Sequence, residues 1–193
     1  DNSNAGEVWI TSNRINSNYN AEEIVSTRSI ISEYKSLSGN KSSDIMPENI
    51  YRIAKGEEEG NKEAAIESFK YFGYGIGDAI ANLIALFDGI VVLGGGITGA
   101  NDLYKPAVRE ELNNHFTDRK NQKVNRTVQQ IFDYSDTSER ATFFEQYTKN
   151  VVIPDSQKSI KYDPNPRTII CHSTLGASKA IQVGAYMYAI MNI

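Results

Sequence analysis

Val91-Val92-Leu93-Gly94-Gly95-Gly96-Ile97-Thr98-Gly99-Ala100 is the stretch on which the reading of this chain turns. A short β-branched run and three glycines lead into Asn101-Asp102-Leu103-Tyr104-Lys105-Pro106-Ala107-Val108, which reads as a helix start. Strand, glycine turn and helix in that order mark an α/β protein. Glycine has no Cβ, so a ligand or a neighbouring chain can approach the main chain directly. A helix N-terminus beyond it offers free N–H groups and the positive end of a dipole. A buried strand turning sharply into a helix also wants glycine there, so the motif alone fits a tight turn as well as a nucleotide contact. It is neither the dinucleotide fingerprint nor a P-loop, because no Gly-Lys-Ser/Thr follows.

The 193 residues fit one domain, or one large lobe of a two-lobed protein. Hydrophobic residues make up 40% and charged residues 23%, enough for a core and a solvated surface. The net charge is −4 and Lys and Arg are scattered, which argues against a nucleic-acid footprint. Cys171 is the single cysteine, so neither a disulfide framework nor a thiolate metal site is expected, and a lone thiol fits a reducing compartment. No apolar run reaches the length of a membrane span, and no signal-peptide pattern opens the chain. A cytoplasmic protein without membrane or nucleic-acid partners is expected. The first residue, Asp1, is not Met, which suggests a processed, cut or partial chain.

Working outward, Val8-Trp9-Ile10 reads as a short strand followed by a polar, Asn-rich loop. A helix is expected from Ala21 to a stop at Gly39, and a shorter one from Pro47 through Ala54. Asn61 to Phe87 is the longest periodic element: Phe69, Phe72, Ile76, Ile80, Leu83, Ile84 and Phe87 recur at three- and four-residue steps. Gly73, Gly75 and Gly77 interrupt it, each at a cost of about 1 kcal/mol against alanine, which points to close packing against another element or to a hinge. Asp78 and Asn82 on the same helix read as solvated or hinge-facing.

Beyond the glycines, a helix is expected from about Lys105 to Phe116, with His115 ending it in solvent, then a strand over Val124 to Phe132 and a helix from Thr137 to Lys149. Val151-Val152-Ile153 and Ser159-Ile160-Lys161-Tyr162 make a hairpin. Arg167 to Cys171 is a second buried strand, and a terminal helix follows Leu175-Gly176-Ala177-Ser178. Two parallel strands make a thin sheet, so segments at Val8 and Val124, or strands outside the chain, are expected to complete it. Cys171-His172 is not a convincing nucleophile pair, because adjacent residues do not fold onto each other as thiol and base.

Taken together, these segments resemble the C-terminal half of ROK-family sugar kinases. The resemblance rests on Gly75-Ile76-Gly77-Asp78-Ala79-Ile80-Ala81-Asn82-Leu83-Ile84 followed by Ile90-Val91-Val92-Leu93-Gly94-Gly95-Gly96-Ile97. Asn4-Ala5-Gly6-Glu7-Val8 looks like the family's Ala-Gly-Glu-Ile segment, and Glu22-Glu23-Ile24-Val25-Ser26 like its Glu-containing helix start. Leu175-Gly176-Ala177-Ser178-Lys179-Ala180 with Gly184-Ala185 looks like its closing helix. The likeness covers nearly the whole chain, with an elaboration at about Thr117 to Asp163. It implies an α/β chain forming one lobe of the actin-like ATPase (ribonuclease H-like) fold, a mixed sheet flanked by helices.

It also implies an ATP- and Mg²⁺-dependent kinase, with the 6-hydroxyl of glucose or a related hexose as acceptor. Glu7 and Glu22 would accept hydrogen bonds from sugar hydroxyls, with Glu23 in place of Glu22 if the alignment slips by one. An acid in a helix's first turn also favours the dipole, which accounts for Glu22 equally well. Gly94, Gly95, Gly96 and Ile97 would border the adenosine, with Leu175, Gly176 and Ala177 as weaker candidates. The family's Asp-x-Gly-Gly-Thr loop and catalytic Asp have no counterpart in these residues, so no catalytic residue is expected here and an N-terminal lobe is expected as partner.

One departure is chemical. Trp9-Ile10 stand where the family carries Gly-His, and Thr11 to Ala21 contains none of its three zinc cysteines, so no zinc is expected and the loop should be held by hydrogen bonds. A sugar-sensing repressor and a non-catalytic sugar- or nucleotide-binding lobe are the alternatives, although no helix-turn-helix is visible. Homodimers are common in the family.

Overall fold

A computed structural model describes residues 6–145 and 148–192, with the backbone alone at Ala177. The chain divides into two compact units, Asp1–Leu83 with Gly96–Arg126, and Ile84–Gly95 with Thr127–Ile193.

The first unit is helical. Residues Ala21–Val25 (α1) and Thr27–Ser38 (α2) replace the single helix expected from Ala21 to Gly39. Ser26 between them is extended, at φ −99° and ψ 161°, and serine is a favoured residue for opening a new helix. Gly39 ends α2 in the left-handed conformation, at φ 71°. Pro47–Lys55 (α3) starts on its proline, as expected, and stops at Gly56. Lys62–Ile84 (α4) is the long periodic helix. Its stripe buries Phe69, Phe72, Ile80 and Ile84, whereas Phe87 lies beyond the helix end and is exposed. Asn101–Leu112 (α5) begins four residues earlier than expected and stops short of Phe116.

The glycines of α4 are packing devices. A Cβ on Gly73 would meet the Tyr104 carbonyl and come within 2.9 Å of the Ala107 Cβ. One on Gly77 would come within 2.7 Å of the Glu111 Cβ and 2.9 Å of the Val108 carbonyl. One on Gly75 would strike Ile24. Gly73 and Gly77 therefore let α5 lie backbone-close to α4, and Gly75 does the same for α1. Close packing, one of the two expectations for these glycines, is what they serve.

Several short elements differ from expectation. Val8–Ile10 is a 3-10 turn, not a strand. Three β-branched or aromatic residues carry too little periodicity to separate the two. His115 does not end a helix: His115–Thr117 (β2) pairs antiparallel with Lys123–Asn125 (β3). The strand expected over Val124 to Phe132 is split, and its second part is Gln130–Asp133 (β4).

The second unit holds Val91–Leu93 (β1), β4 and Arg167–His172 (β7) in a parallel sheet ordered β1-β7-β4. The central strand buries Thr168, Ile169 and Ile170, and the Thr168 hydroxyl donates to the Gly89 carbonyl at 2.5 Å. The edge strand β1 is only half-buried, with Val92 exposed, so it is not the deeply buried strand that its composition suggests. A third strand joins the sheet from the Val124 side and not from Val8. Thr137–Phe144 (α6) is capped by Asp136, whose carboxylate accepts from the Ser138 and Glu139 amides. Lys149–Val152 (β5) and Ser159–Tyr162 (β6) form the expected hairpin, and Ala177–Met191 (α7) is the terminal helix.

Candidate functional site

In the second unit, β1 registers Val91 against Ile170 and Leu93 against His172, and the Ser173 amide donates to the Leu93 carbonyl at 2.8 Å. The strand thus runs straight into Gly94 and Gly95. Gly95 has φ +111°, a conformation that a side chain rarely tolerates.

In the first unit, Gly96–Ala100 winds as a 3-10 turn that runs on into α5. The Asn101 side-chain amide donates to the Thr98 carbonyl at 2.9 Å, which secures the junction. No atom of a neighbouring residue would meet a Cβ on Gly96 or Gly99, so this backbone is open. Gly96 and Ile97 border a hollow of about 550 Å³ that Pro47, Glu48 and Tyr51 of α3 and Phe69 of α4 also line. The size suits a small ligand, and the lining is mainly apolar and aromatic with one carboxylate. Sequence reasoning missed α3 here, because nothing in a short amphipathic helix announces which loop it faces.

The proposed sugar acids lie on either side of the polar loop. Glu7 follows Gly6 (φ +85°) and opens the Val8–Ile10 turn with its side chain exposed and making no cap bond. Of the Ala-Gly-Glu-like segment, Asn4 and Ala5 lie outside the described residues. Glu22 and Glu23 stand in the first turn of α1, where the side-chain Oδ1 of Asn20 accepts from the Glu23 amide at 3.1 Å. Both pair with Arg28, Glu22 at 3.2 Å and Glu23 at 2.8 Å. The guanidinium pKa is raised first by its bond to Glu23 and then by Glu22. Glu23 also lines a polar hollow of about 450 Å³ with Asn16, Tyr19, Ser29 and Tyr71, a wall to which Glu22 does not contribute.

The loop between them is held by side-chain hydrogen bonds, as its asparagine content predicts. Asn13 Oδ1 accepts from the Ile15 amide at 2.7 Å and the Asn16 amide at 3.2 Å, and Asn16 Oδ1 accepts from the Asn18 amide at 3.1 Å. Asp78 is not solvated. It is buried, accepting from the Arg14 amide at 3.0 Å and from Arg126 Nη2 at 2.7 Å. The signal was available: a carboxylate on the apolar face of a core helix demands a partner. Its partners, 48 and 64 residues away in sequence, were not legible. Asn82, exposed as expected, also accepts from Arg126.

A thiolate zinc site does not fit the donor set of this loop. Among the described residues no cluster of three or more His, Cys, Asp or Glu side chains could hold a metal ion.

Cys171 and His172 lie at the end of β7. Burial, and then the nearby Asp133 charge, raise the Cys171 pKa and keep it a thiol, the wrong form for a nucleophile. Gly176, at φ +71°, opens α7, and Leu175 beside it is exposed. The Ala177 side chain lies outside the described residues.

Parallel and antiparallel strand pairs with packed helices give this chain the mixed α/β actin-like ATPase fold. The ROK family model matches residues 20–137, more than half of the chain, and the chain belongs to the ROK family. It is similar to the crystal structure of a glucokinase from Parabacteroides distasonis, at 32% identity and a TM-score of 0.83. The match covers 100% of this chain and 52% of that one. A protein provisionally named a sugar kinase from Cytophaga hutchinsonii shares the fold, at 16% identity and a TM-score of 0.56, over 96% of this chain and 48% of that one. The chain therefore spans about half the length of these relatives. No curated protein matches it significantly. Among the described residues, no helix is long and apolar enough to cross a membrane.

Proposed function

We propose that this chain is the nucleotide- and sugar-holding lobe of a cytoplasmic, ATP-dependent hexose kinase acting on the 6-hydroxyl of glucose or a close relative. The reading is carried by the end-to-end likeness to a glucokinase at 32% identity. The apolar hollow under Gly96 and Ile97 supports it, having the size and lining for an adenine ring between Tyr51 and the open glycine backbone. Glu7 and Glu22 accept hydrogen bonds from sugar hydroxyls.

In the reaction the sugar oxygen bonds to the γ-phosphorus, the bond to the β–γ bridging oxygen breaks, and ADP leaves. A carboxylate from the rest of a longer protein takes the hydroxyl proton. Mg²⁺, bound with the nucleotide, would supply charge neutralisation at the phosphates, and no acid of this chain is assigned to hold it.

The test is hexose-dependent ADP release by the full-length protein. Glu22→Gln removes a charged hydrogen-bond acceptor worth about 1.5–3 kcal/mol, so the sugar KM should rise about 10- to 100-fold while the ATP KM stays within about twofold. Glu23→Gln should change neither. Equal shifts in both constants for Glu22→Gln would remove it from the sugar site.

A further inference from the structure

We infer that Arg14 is a positioning residue: it reaches from the surface onto buried Asp78, Glu111 and Arg126, and the four form a metal-independent clamp that holds the Thr11–Asn20 loop and so fixes the start of the helix that carries Glu22. That Glu22 faces sugar rests on the function proposed above; the clamp itself does not.

The loop is closed at its ends by a bridge between Ser12 and Asn20 and by the Ala21 amide, which donates to the Thr11 carbonyl at 2.9 Å. Asn20, its last residue, caps α1. Whatever moves the loop therefore moves the first turn of α1.

Arg14 anchors the middle twice. Its amide donates to Asp78 Oδ2 at 3.0 Å, and its Nη1 donates to Glu111 Oε1 at 2.5 Å. Arg126 binds the other Asp78 oxygen at 2.7 Å and places its Nε 3.7 Å from Glu111 Oε1. Glu111 Oε2 accepts from the Asn114 side chain at 3.1 Å. Both guanidinium groups lie over the Phe116 ring, 5.3 Å and 5.0 Å from its centroid.

Asp78 and Glu111 are 2% exposed and the Arg126 side chain 7%, while Arg14 reaches them from the surface with its side chain 35% exposed. Two buried acids facing two guanidinium groups satisfy each other's charge, and no cation is needed to balance them. Such a cluster adds little stability over an apolar core, yet removal of one partner strands a buried charge. What it supplies is a fixed geometry. Gly77 belongs to the device, since its missing Cβ lets the Glu111 side chain reach across to α4.

The test follows hydrogen exchange of residues 11–20 in the full-length protein, alongside steady-state kinetics. In Arg14→Met the loop amides should exchange about tenfold faster or more, with those of α3 unchanged and Arg14→Lys recovering part of the protection. The sugar KM of Arg14→Met should rise about tenfold with the ATP KM within about twofold, a split that general loosening would not produce. Loop exchange in the unaltered protein should be indifferent to EDTA and 1,10-phenanthroline, an arm that needs no variant to fold.

A loop loosened by chelator, or left unmoved by Arg14→Met, would overturn the clamp. A loosened loop with an unmoved sugar KM would overturn its positioning role. A loosened loop in a protein that never turns over sugar would support the clamp and sink the kinase reading.

Discussion

Tyr104 carries a phenol into the centre of the first unit. It is 1% exposed and stands edge-on to Phe72, with ring centroids 5.5 Å apart. Burial raises its pKa to about 12, because the phenolate would lose its hydration there. A folded pKa above the unfolded value of about 10 means that the fold prefers the protonated phenol. That preference contributes fully below about pH 10 and is lost as the pH climbs towards 12. Tyr104→Phe keeps the ring and removes the titration, so the decline in unfolding free energy between pH 10 and 12 should flatten by up to about 1.4 kcal/mol per pH unit. Urea titrations across that range measure it; an unchanged slope would place the alkaline weakness elsewhere. Cys171 offers a second reading at the same scale. Held as a thiol by burial and by Asp133, it should react with iodoacetamide at pH 8 more slowly than in the unfolded chain. Fast native alkylation would reopen the nucleophile question.

Among the elements, α4 shows what was legible in the sequence and what was not. Its apolar stripe announced the helix, and glycines inside so apolar a pattern announced close contact, because their cost had to be offset by packing. Which elements they meet depends on residues up to 51 positions away, as for Gly75 against Ile24, and no local pattern encodes that pairing. The exposed β2–β3 hairpin escaped notice for the opposite reason, since three-residue strands with no buried face leave no alternation to read. The candidate site divides in the same way: Gly96 and Ile97 were visible in the motif, whereas Tyr51 and the Arg14–Asp78 pair exist only in the folded chain. Alanine at Gly77 gains about 1 kcal/mol of helix propensity and meets the Val108 carbonyl 2.9 Å away. Backbone cannot yield there, so Gly77→Ala should be net destabilising by about 1–3 kcal/mol. Gly184→Ala in α7, where nothing stands in the way, should be stabilising by up to about 1 kcal/mol. Chemical denaturation of both variants measures the contrast, and equal effects would refute the packing role.

At the scale of the whole molecule, the terminal helix is out of keeping with a finished surface. Val183, Tyr186, Met187, Ile190 and Met191 of α7 are all exposed, so an apolar helix faces water. Large exposed apolar patches mark surfaces that another element covers. The structural relatives are about twice as long as this chain, and under the kinase function proposed above a further lobe would cover α7. If so, this chain prepared alone should bind a hydrophobic dye and self-associate as its concentration rises. Met187→Glu with Ile190→Glu should reduce both, while the unfolding free energy shifts by no more than about 0.5 kcal/mol, since both residues are more than half exposed. Sedimentation velocity and dye titration provide the measurements, and association that survives the double variant would put the adhesive surface elsewhere. In the longer protein the same helix should be protected from hydrogen exchange, and the two glutamates should then lower activity by weakening the cover and not by touching nucleotide or sugar.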